Sequence, residues 1–141
     1  MREILFCGKR KDNGERVEGS LFFNPDLKCA QIIWFEYALT EDGKERYERC
    51  TRVDIETVSQ YTGLTDQNNK RIFEGDIIKS CEYDDIYTVK YFGNDNYPAF
   101  DCVPEVSNCE CNGLSYLVNV EGCEVIGNIY DNPELLKGAT K

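Results

Sequence analysis

Two short motifs contain the residues of this 141-residue chain whose types and spacing could do chemistry, and the first is a pair of thiols. Cys109-Glu110-Cys111 places two sulfur atoms close together along the chain, and thiolates are ligands that zinc prefers. The spacing is C-x-C rather than the C-x₂-C of zinc ribbons, and no second close cysteine pair completes a tetrahedral site. We therefore expect no metal here, and reduced thiols in core and loops instead.

The second motif, Glu74-Gly75-Asp76, places two carboxylates on either side of a glycine. A catalytic pair would need one carboxyl group protonated and the other ionised. The motif lies between short apolar runs, where a glycine more simply makes a turn and Asp76 bonds the backbone. The sequence therefore favours a structural role for these residues over a catalytic one.

Other catalytic patterns find little support. The chain has no histidine, no G-x-S-x-G, no Walker A loop and no G-x-G-x-x-G. A calcium loop starting at Asp66 would need glycine at its sixth position and glutamate at its twelfth, where Arg71 and Ile77 stand. We expect neither enzymatic activity nor a cofactor, with a small hydrolase or metal-binding protein as one alternative.

The charge balance bears on partners. There are 26 acidic and 16 basic residues, a net charge of −10, and the single basic cluster is Lys9-Arg10-Lys11. Because lysine and arginine supply most non-specific affinity for phosphate backbones, direct nucleic-acid binding is disfavoured. Aromatic residues near the acidic 82–101 segment favour core packing and a protein-binding surface. They are Tyr83, Tyr87, Tyr91, Phe92, Tyr97 and Phe100.

The compartment is inferred from what the chain lacks. No apolar run approaches the roughly 18 residues of a membrane span, and the N-terminus lacks the apolar core of a signal peptide. Thiols are kept reduced in such a compartment, so we expect all eight cysteines to be free. The sequence predicts a cytoplasmic protein with no membrane partner.

The first half of the chain contains three predicted hairpin turns. Asn13-Gly14 and Asp42-Gly43 supply the positive φ that type I′ turns need, and Asp66-Gln67-Asn68-Asn69 gives a third polar turn. The runs around and after these turns are rich in strand-forming residues. The later predicted strands are Ile77-Ile78, Ile86–Phe92, Leu114–Val120 and Val125–Tyr130. Repeated short strands indicate a barrel or a sandwich.

Helix is scarce in the predicted pattern. A short piece is expected from Asp54, and another over residues 132–138. In the latter, Asn132 suits the N-cap, Pro133 the first position and Gly138 the stop. No Pro- or Gly-rich linker divides the chain, so we expect one domain over 1–141.

Three stretches resemble one known family. They are Arg2–Gly8 with Gly19-Ser20-Leu21; Val53–Asp66 continuing into Lys70–Ile78, which contains Phe73-Glu74-Gly75-Asp76; and Glu124–Leu136, which contains Gly127-Asn128 and Asn132-Pro133. Together they resemble the YopX family, which is encoded largely by phages and prophages. The likeness covers nearly the whole chain, with residues 24–52 and 93–123 the least matched.

The resemblance implies a fold but carries no functional residues. The implied fold is mainly β, a small partly open SH3-like barrel over 53–137, with N-terminal β-hairpins over 1–52 and a short C-terminal helix. Within it, nine residues are expected to be structural rather than catalytic: Tyr61, Gly63, Asp66, Glu74, Gly75, Asp76, Gly127, Asn132 and Pro133.

Three functions follow as hypotheses. The leading one is a non-catalytic phage or prophage accessory protein that binds a protein partner, with the bacterial host as a source of that partner. An acidic nucleic-acid mimic that occupies a host DNA-binding protein is the second, and a small hydrolase or metal-binding protein is the third. An exposed aromatic patch would favour protein recognition, carboxylates spaced like phosphates would favour mimicry, and a deep pocket with convergent carboxylates would favour an enzyme.

Overall fold

A computed structural model describes residues 1–107 and 109–137 of the chain. The contacts divide the chain into two compact units, Met1–Gln60 and Tyr61–Lys141. The strands pair in two antiparallel sheets, and the pairing described for these residues closes neither sheet into a barrel. No helix in the described part of the chain is long and apolar enough to cross a membrane. The mainly β prediction is confirmed, whereas the SH3-like description stays a prediction.

The first unit is built from successive hairpins. Its strands are β1 Phe6–Lys9, β2 Arg16–Asn24, β3 Cys29–Thr40, β4 Gly43–Val53 and the start of β5 Ser59–Thr65. Their order across the sheet is β4-β3-β2-β1-β5. A bridge between Arg10 and Val53 joins the ends of β1 and β4. The core is small and centres on Ala30, Ile32 and Val53, each at most 2% exposed.

The turns of this unit differ from the predicted type I′ geometry. Gly14 and Gly43 have positive φ, at 74° and 121°, but Asn13 and Asp42 do not. Thr40 pairs with Gly43 across the two-residue connection. Only the glycine, which lacks a Cβ, takes the left-handed conformation at each turn. The hairpins form as predicted, with turns of another type. A 3-10 turn at Ile55–Thr57 follows Asp54, whose side chain accepts a hydrogen bond from Glu56 N–H.

The second unit contains the end of β5 and a four-stranded sheet in the order β10-β7-β8-β9. The strands are β6 Arg71–Phe73, β7 Asp76–Ser80, β8 Ile86–Tyr91, β9 Phe100–Val103 and β10 Cys123–Asn128. The core groups ten buried residues, among them Ile78, Val89, Leu114 and Leu117. A short helix, α2 Glu134–Lys137, follows β10 where a C-terminal helix is predicted. Gly138, expected to end it, lies outside the described residues.

The predicted strand over Leu114–Val120 is wrong. The segment forms α1 Gly113–Tyr116 and a π-helical turn Leu117–Glu121. Asn112 caps it, because its side-chain oxygen accepts a hydrogen bond of 2.9 Å from Ser115 N–H. Leu114 and Leu117, three residues apart, are both buried in the core. Packing on one helical face and the cap outweigh the strand propensity of the valines and tyrosine.

Candidate functional site

Asp66 of the predicted structural motif is a buried carboxylate that binds backbone amides. Its Oδ1 accepts hydrogen bonds from Asn68 N–H at 2.8 Å and Lys70 N–H at 2.9 Å. Its Oδ2 accepts from Val125 N–H at 3.0 Å. Within the same turn, Asn69 has a left-handed φ of 61°. The carboxylate therefore shapes the turn after β5 and attaches it to β10.

Within the Glu74-Gly75-Asp76 segment, Glu74 and Gly75 form the turn between β6 and β7, and Asp76 begins β7. Asp76 is 1% exposed, and its Oδ2 accepts a hydrogen bond of 2.8 Å from Phe73 N–H. Gly75 has φ +84°, and its N–H donates to Val89 O at 2.8 Å while its carbonyl accepts from Ile129 N–H at 2.9 Å. The buried aspartate and the glycine are thus both engaged with backbone.

The C-terminal motif is organised around a close approach. Gly127 lies at a register shift between β10 and β7, and a Cβ placed on it would lie 2.5 Å from Asn132 Oδ1. Asn132 Oδ1 accepts a hydrogen bond from Asn128 N–H at 3.3 Å, and the Pro133 carbonyl accepts from Leu136 N–H at 3.2 Å. A side chain larger than hydrogen at position 127 would displace Asn132.

The remaining motif residues lie on β5. The Tyr61 ring centroid is 5.6 Å from that of Phe73, and the Arg71 guanidinium lies 5.9 Å from the Tyr61 ring. Gly63 has φ +88° within the irregular pairing of β5 with β6. That the whole motif serves the fold and no activity stays a prediction.

A different surface, which the sequence reasoning did not single out, carries exposed apolar side chains. Strand β2 pairs with residues 29–33 of β3, and residues 34–40 of β3 pair with residues 43–49 of β4. Side chains alternate between the two faces of this two-stranded ribbon. On one face Phe35 is 47%, Tyr37 59% and Leu39 90% exposed. We call the face bearing these three residues the aromatic ribbon face.

Cations lie over the rings of the aromatic ribbon face. Lys44 Nζ is 4.3 Å from the Tyr37 ring centroid, and Arg46 Cζ is 4.5 Å from that of Phe35. Each is a diagonal cross-strand pair, the arrangement in which long side chains and rings meet on one face of a sheet. These contacts hold the rings and the positive charges together while both stay exposed.

On the opposite face of the same ribbon, polar side chains form hydrogen bonds with one another. Glu36 accepts hydrogen bonds from Trp34 Nε1 at 3.2 Å and Arg49 Nε at 3.1 Å, and these two donors lower the pKa of its carboxyl group. Tyr47 donates its hydroxyl proton to Glu45 at 2.7 Å, which raises the pKa of the phenol. Two faces of one hairpin therefore differ in character: one is an internal polar network and the other exposes apolar surface.

The aromatic residues of the 82–101 segment divide between core and surface. Tyr87 is buried, and Tyr91 lies 5.1 Å from Phe100 between ring centroids. Tyr83 is 62% exposed, and its hydrogen bond to Glu82 raises the pKa of its hydroxyl. The segment therefore packs partly into the core of the second unit and leaves Tyr83 exposed.

Cys109 and Cys111 come together beside the start of α1. Their sulfur atoms are 3.5 Å apart, and Cys109 Sγ lies 3.3 Å from Cys111 O. They line an open cavity of about 480 Å³ together with Glu110 and Tyr116. Among the described residues, no group of three or more histidine, cysteine, aspartate or glutamate side chains is placed to hold a metal ion.

The fold and surface define a small, mainly β protein with an exposed aromatic hairpin face and a paired-thiol cavity. A family model described as YopX protein matches residues 6–137, so the chain belongs to the YopX family and the predicted resemblance is confirmed. Its fold is similar to the crystal structure of protein EF1440 from Enterococcus faecalis, with 22% identity and a TM-score of 0.63. That match covers 96% of this chain and 99% of the other. A search of curated proteins found no matching relative.

Proposed function

We propose that this YopX-family protein is a non-catalytic protein-binding module of a phage or prophage that acts in the bacterial cytoplasm. The observation that carries the proposal is the aromatic ribbon face, on which Phe35, Tyr37 and Leu39 are exposed and cations lie over the two rings. Aromatic residues and arginine are enriched in the cores of protein interfaces. An exposed face of this composition is typical of a recognition surface, whereas the polar groups of the opposite face already hydrogen-bond to one another.

The charge of the face indicates the chemistry of the partner. This side of β4 carries three cations and one carboxylate, namely Lys44, Arg46, Arg52 and Glu48. The face is therefore locally cationic on a chain of net charge −10. A complementary protein surface would present apolar side chains bordered by carboxylates. This sign of charge does not favour the acidic-mimic alternative for this face.

Single-stranded nucleic acid is the competing ligand, because bases also stack on aromatic rings beside cations. The chain as a whole repels phosphate, and we expect random DNA or RNA to bind more weakly than the ~10⁻⁴–10⁻⁶ M typical of non-specific binders at physiological salt. Fluorescence anisotropy with labelled oligonucleotides measures this directly.

The test compares three full-length baits in nuclease-treated bacterial lysate: the wild type, the double variant Tyr37→Ser/Leu39→Ser, and Tyr47→Ser. Tyr47 is a matched control because it is a 43% exposed tyrosine on the opposite face of the same ribbon. We expect one protein to be retained by the wild type and by Tyr47→Ser, and to be lost by the double variant. The binding should then be reproduced with that protein in purified form.

Two results would overturn the proposal. Equal retention by all three baits would remove the aromatic ribbon face as the contact surface. Micromolar affinity for oligonucleotides that is lost in Tyr37→Ser/Leu39→Ser and weakens steeply with salt would make the ligand a nucleic acid instead.

A further inference from the structure

We propose that Cys109 and Cys111 form a redox-active dithiol that closes to an internal disulfide by exchange with small-molecule disulfides of the glutathione type. The two sulfur atoms are already 3.5 Å apart. A disulfide needs about 2.05 Å, so closure requires a movement of only about 1.5 Å. This inference does not rest on the proposed protein-binding function.

Access distinguishes this pair from the three buried cysteines of the chain. Cys111 is exposed and Cys109 half-buried, and both line the open cavity of about 480 Å³. Cys7, Cys102 and Cys123 are buried. Exchange requires that a thiolate reach the sulfur of an incoming disulfide, and an open cavity lined by both thiols provides that approach.

The reaction balances with a disulfide RSSR as the oxidant. The Cys111 thiolate attacks one sulfur of RSSR, which breaks the S–S bond, forms a mixed disulfide and releases RS⁻. The Cys109 thiolate then attacks Cys111 Sγ and releases the second RS⁻. Both released thiolates take up the protons that the two cysteines lost. The protein pair is oxidised and RSSR is reduced to two RSH.

Metal binding is the competing use of two adjacent thiols. A structural zinc site takes four ligands, and a catalytic one takes three from the protein. The pair supplies two, and in the part of the chain that the structure describes no third histidine, cysteine or carboxylate completes such a group. The same two sulfurs satisfy the whole requirement of a disulfide.

The test uses reduced, full-length protein freed of reductant and treated with oxidised glutathione. Remaining thiols are alkylated, and the denatured protein is cleaved after glutamate. Glu110 lies between the two cysteines, so this cleavage separates them unless a disulfide holds the fragments together. We expect wild type to lose this pair of its eight thiols and to yield fragments that stay joined until a reductant is added.

Cysteine-to-serine variants test whether the disulfide joins Cys109 and Cys111. Cys111→Ser, and independently Cys109→Ser, should abolish the joined fragments and leave a glutathione adduct on the remaining cysteine of the pair. Cys81→Ser removes another exposed cysteine of the same unit and should leave the linkage unchanged. A persistent glutathione adduct on Cys111 in wild type, a linkage to any other cysteine, or stoichiometric zinc that protects the pair would overturn the proposal.

Discussion

The carboxylate of Asp66 accepts a hydrogen bond of 3.0 Å from the backbone N–H of Val125, fifty-nine residues further along the chain. Its other oxygen accepts from Asn68 and Lys70 within its own turn. The side chain is part of a residue only 5% exposed, so water cannot readily replace these partners. Asp66 thus connects its own turn to β10, an edge strand of the four-stranded sheet.

Asp66→Asn should lower the free energy of unfolding by about 1–3 kcal/mol, because an amide offers one acceptor oxygen in place of two and leaves a buried N–H without its partner. Chemical denaturation measures the change. Asp42→Asn, at an exposed turn of the first unit, is the control and should change stability by less than about 0.5 kcal/mol. Equal effects of the two substitutions would contradict this role for Asp66.

Gly75→Val should lower the melting temperature, since φ of +84° costs a residue with a Cβ on the order of 1 kcal/mol or more. A Cβ there would also lie 3.4 Å from Tyr130 Cε2, and the branches of valine extend further. Glu74→Gln keeps the shape and removes the charge, so it should change stability little. A stable Gly75→Val, with Glu74→Gln abolishing a measured binding or enzymatic activity, would instead make this turn the functional site.

The sequence predicts the hairpins well because their turn residues act locally. Gly14 and Gly43 mark the ends of two connections whatever the rest of the chain does. It fails for residues 113–121, where Leu, Tyr and Val favour a strand but the Asn112 cap and the burial of Leu114 and Leu117 select a helix. Burial depends on tertiary contacts that no local pattern contains.

The candidate surfaces were harder to predict than the fold. Phe35, Tyr37 and Leu39 alternate as core-facing residues do, but the buried residues of β3, Ala30 and Ile32, lie on its other face. The proximity of Cys109 and Cys111 is visible as spacing, but their 3.5 Å separation and shared cavity depend on the backbone conformation. Periodicity separates the two faces of a strand, and tertiary packing decides which of them is buried.

Substitutions on the aromatic ribbon face should leave folding almost unchanged. Tyr37→Ser and Leu39→Ser remove exposed side chains, so each should alter the free energy of unfolding by at most about 0.5 kcal/mol. Ile32→Ala, on the same strand but fully buried, should cost about 2–5 kcal/mol. Urea denaturation of the three variants measures these changes in the free energy of unfolding. A large loss in Tyr37→Ser would show that the face serves stability and would weaken its assignment to binding.

Alkaline pH should destabilise the protein through its buried thiols. Burial, with a smaller contribution from Asp101, raises the pKa of Cys102 from an ordinary 9.0 to about 12. Burial, with a smaller contribution from Asp66, raises the pKa of Cys123 to about 11. Above pH 9 the unfolded chain has therefore released protons that the folded chain keeps, and ionisation favours unfolding. The contribution to stability is fully present below pH 9 and is lost as pH rises toward 11 and 12.

The expected slope is at most about 1.4 kcal/mol per pH unit for each thiol, measured as the free energy of unfolding in urea from about pH 7 to about pH 11. Cys102→Ala should flatten the alkaline part of this curve, because alanine has no proton to lose. Its overall stability also falls, but that loss is the same at every pH and leaves the slope interpretable. Cys50→Ala, which removes an exposed thiol, should keep the wild-type slope. A Cys102→Ala curve parallel to the wild type would show that this buried thiol does not set the alkaline limit.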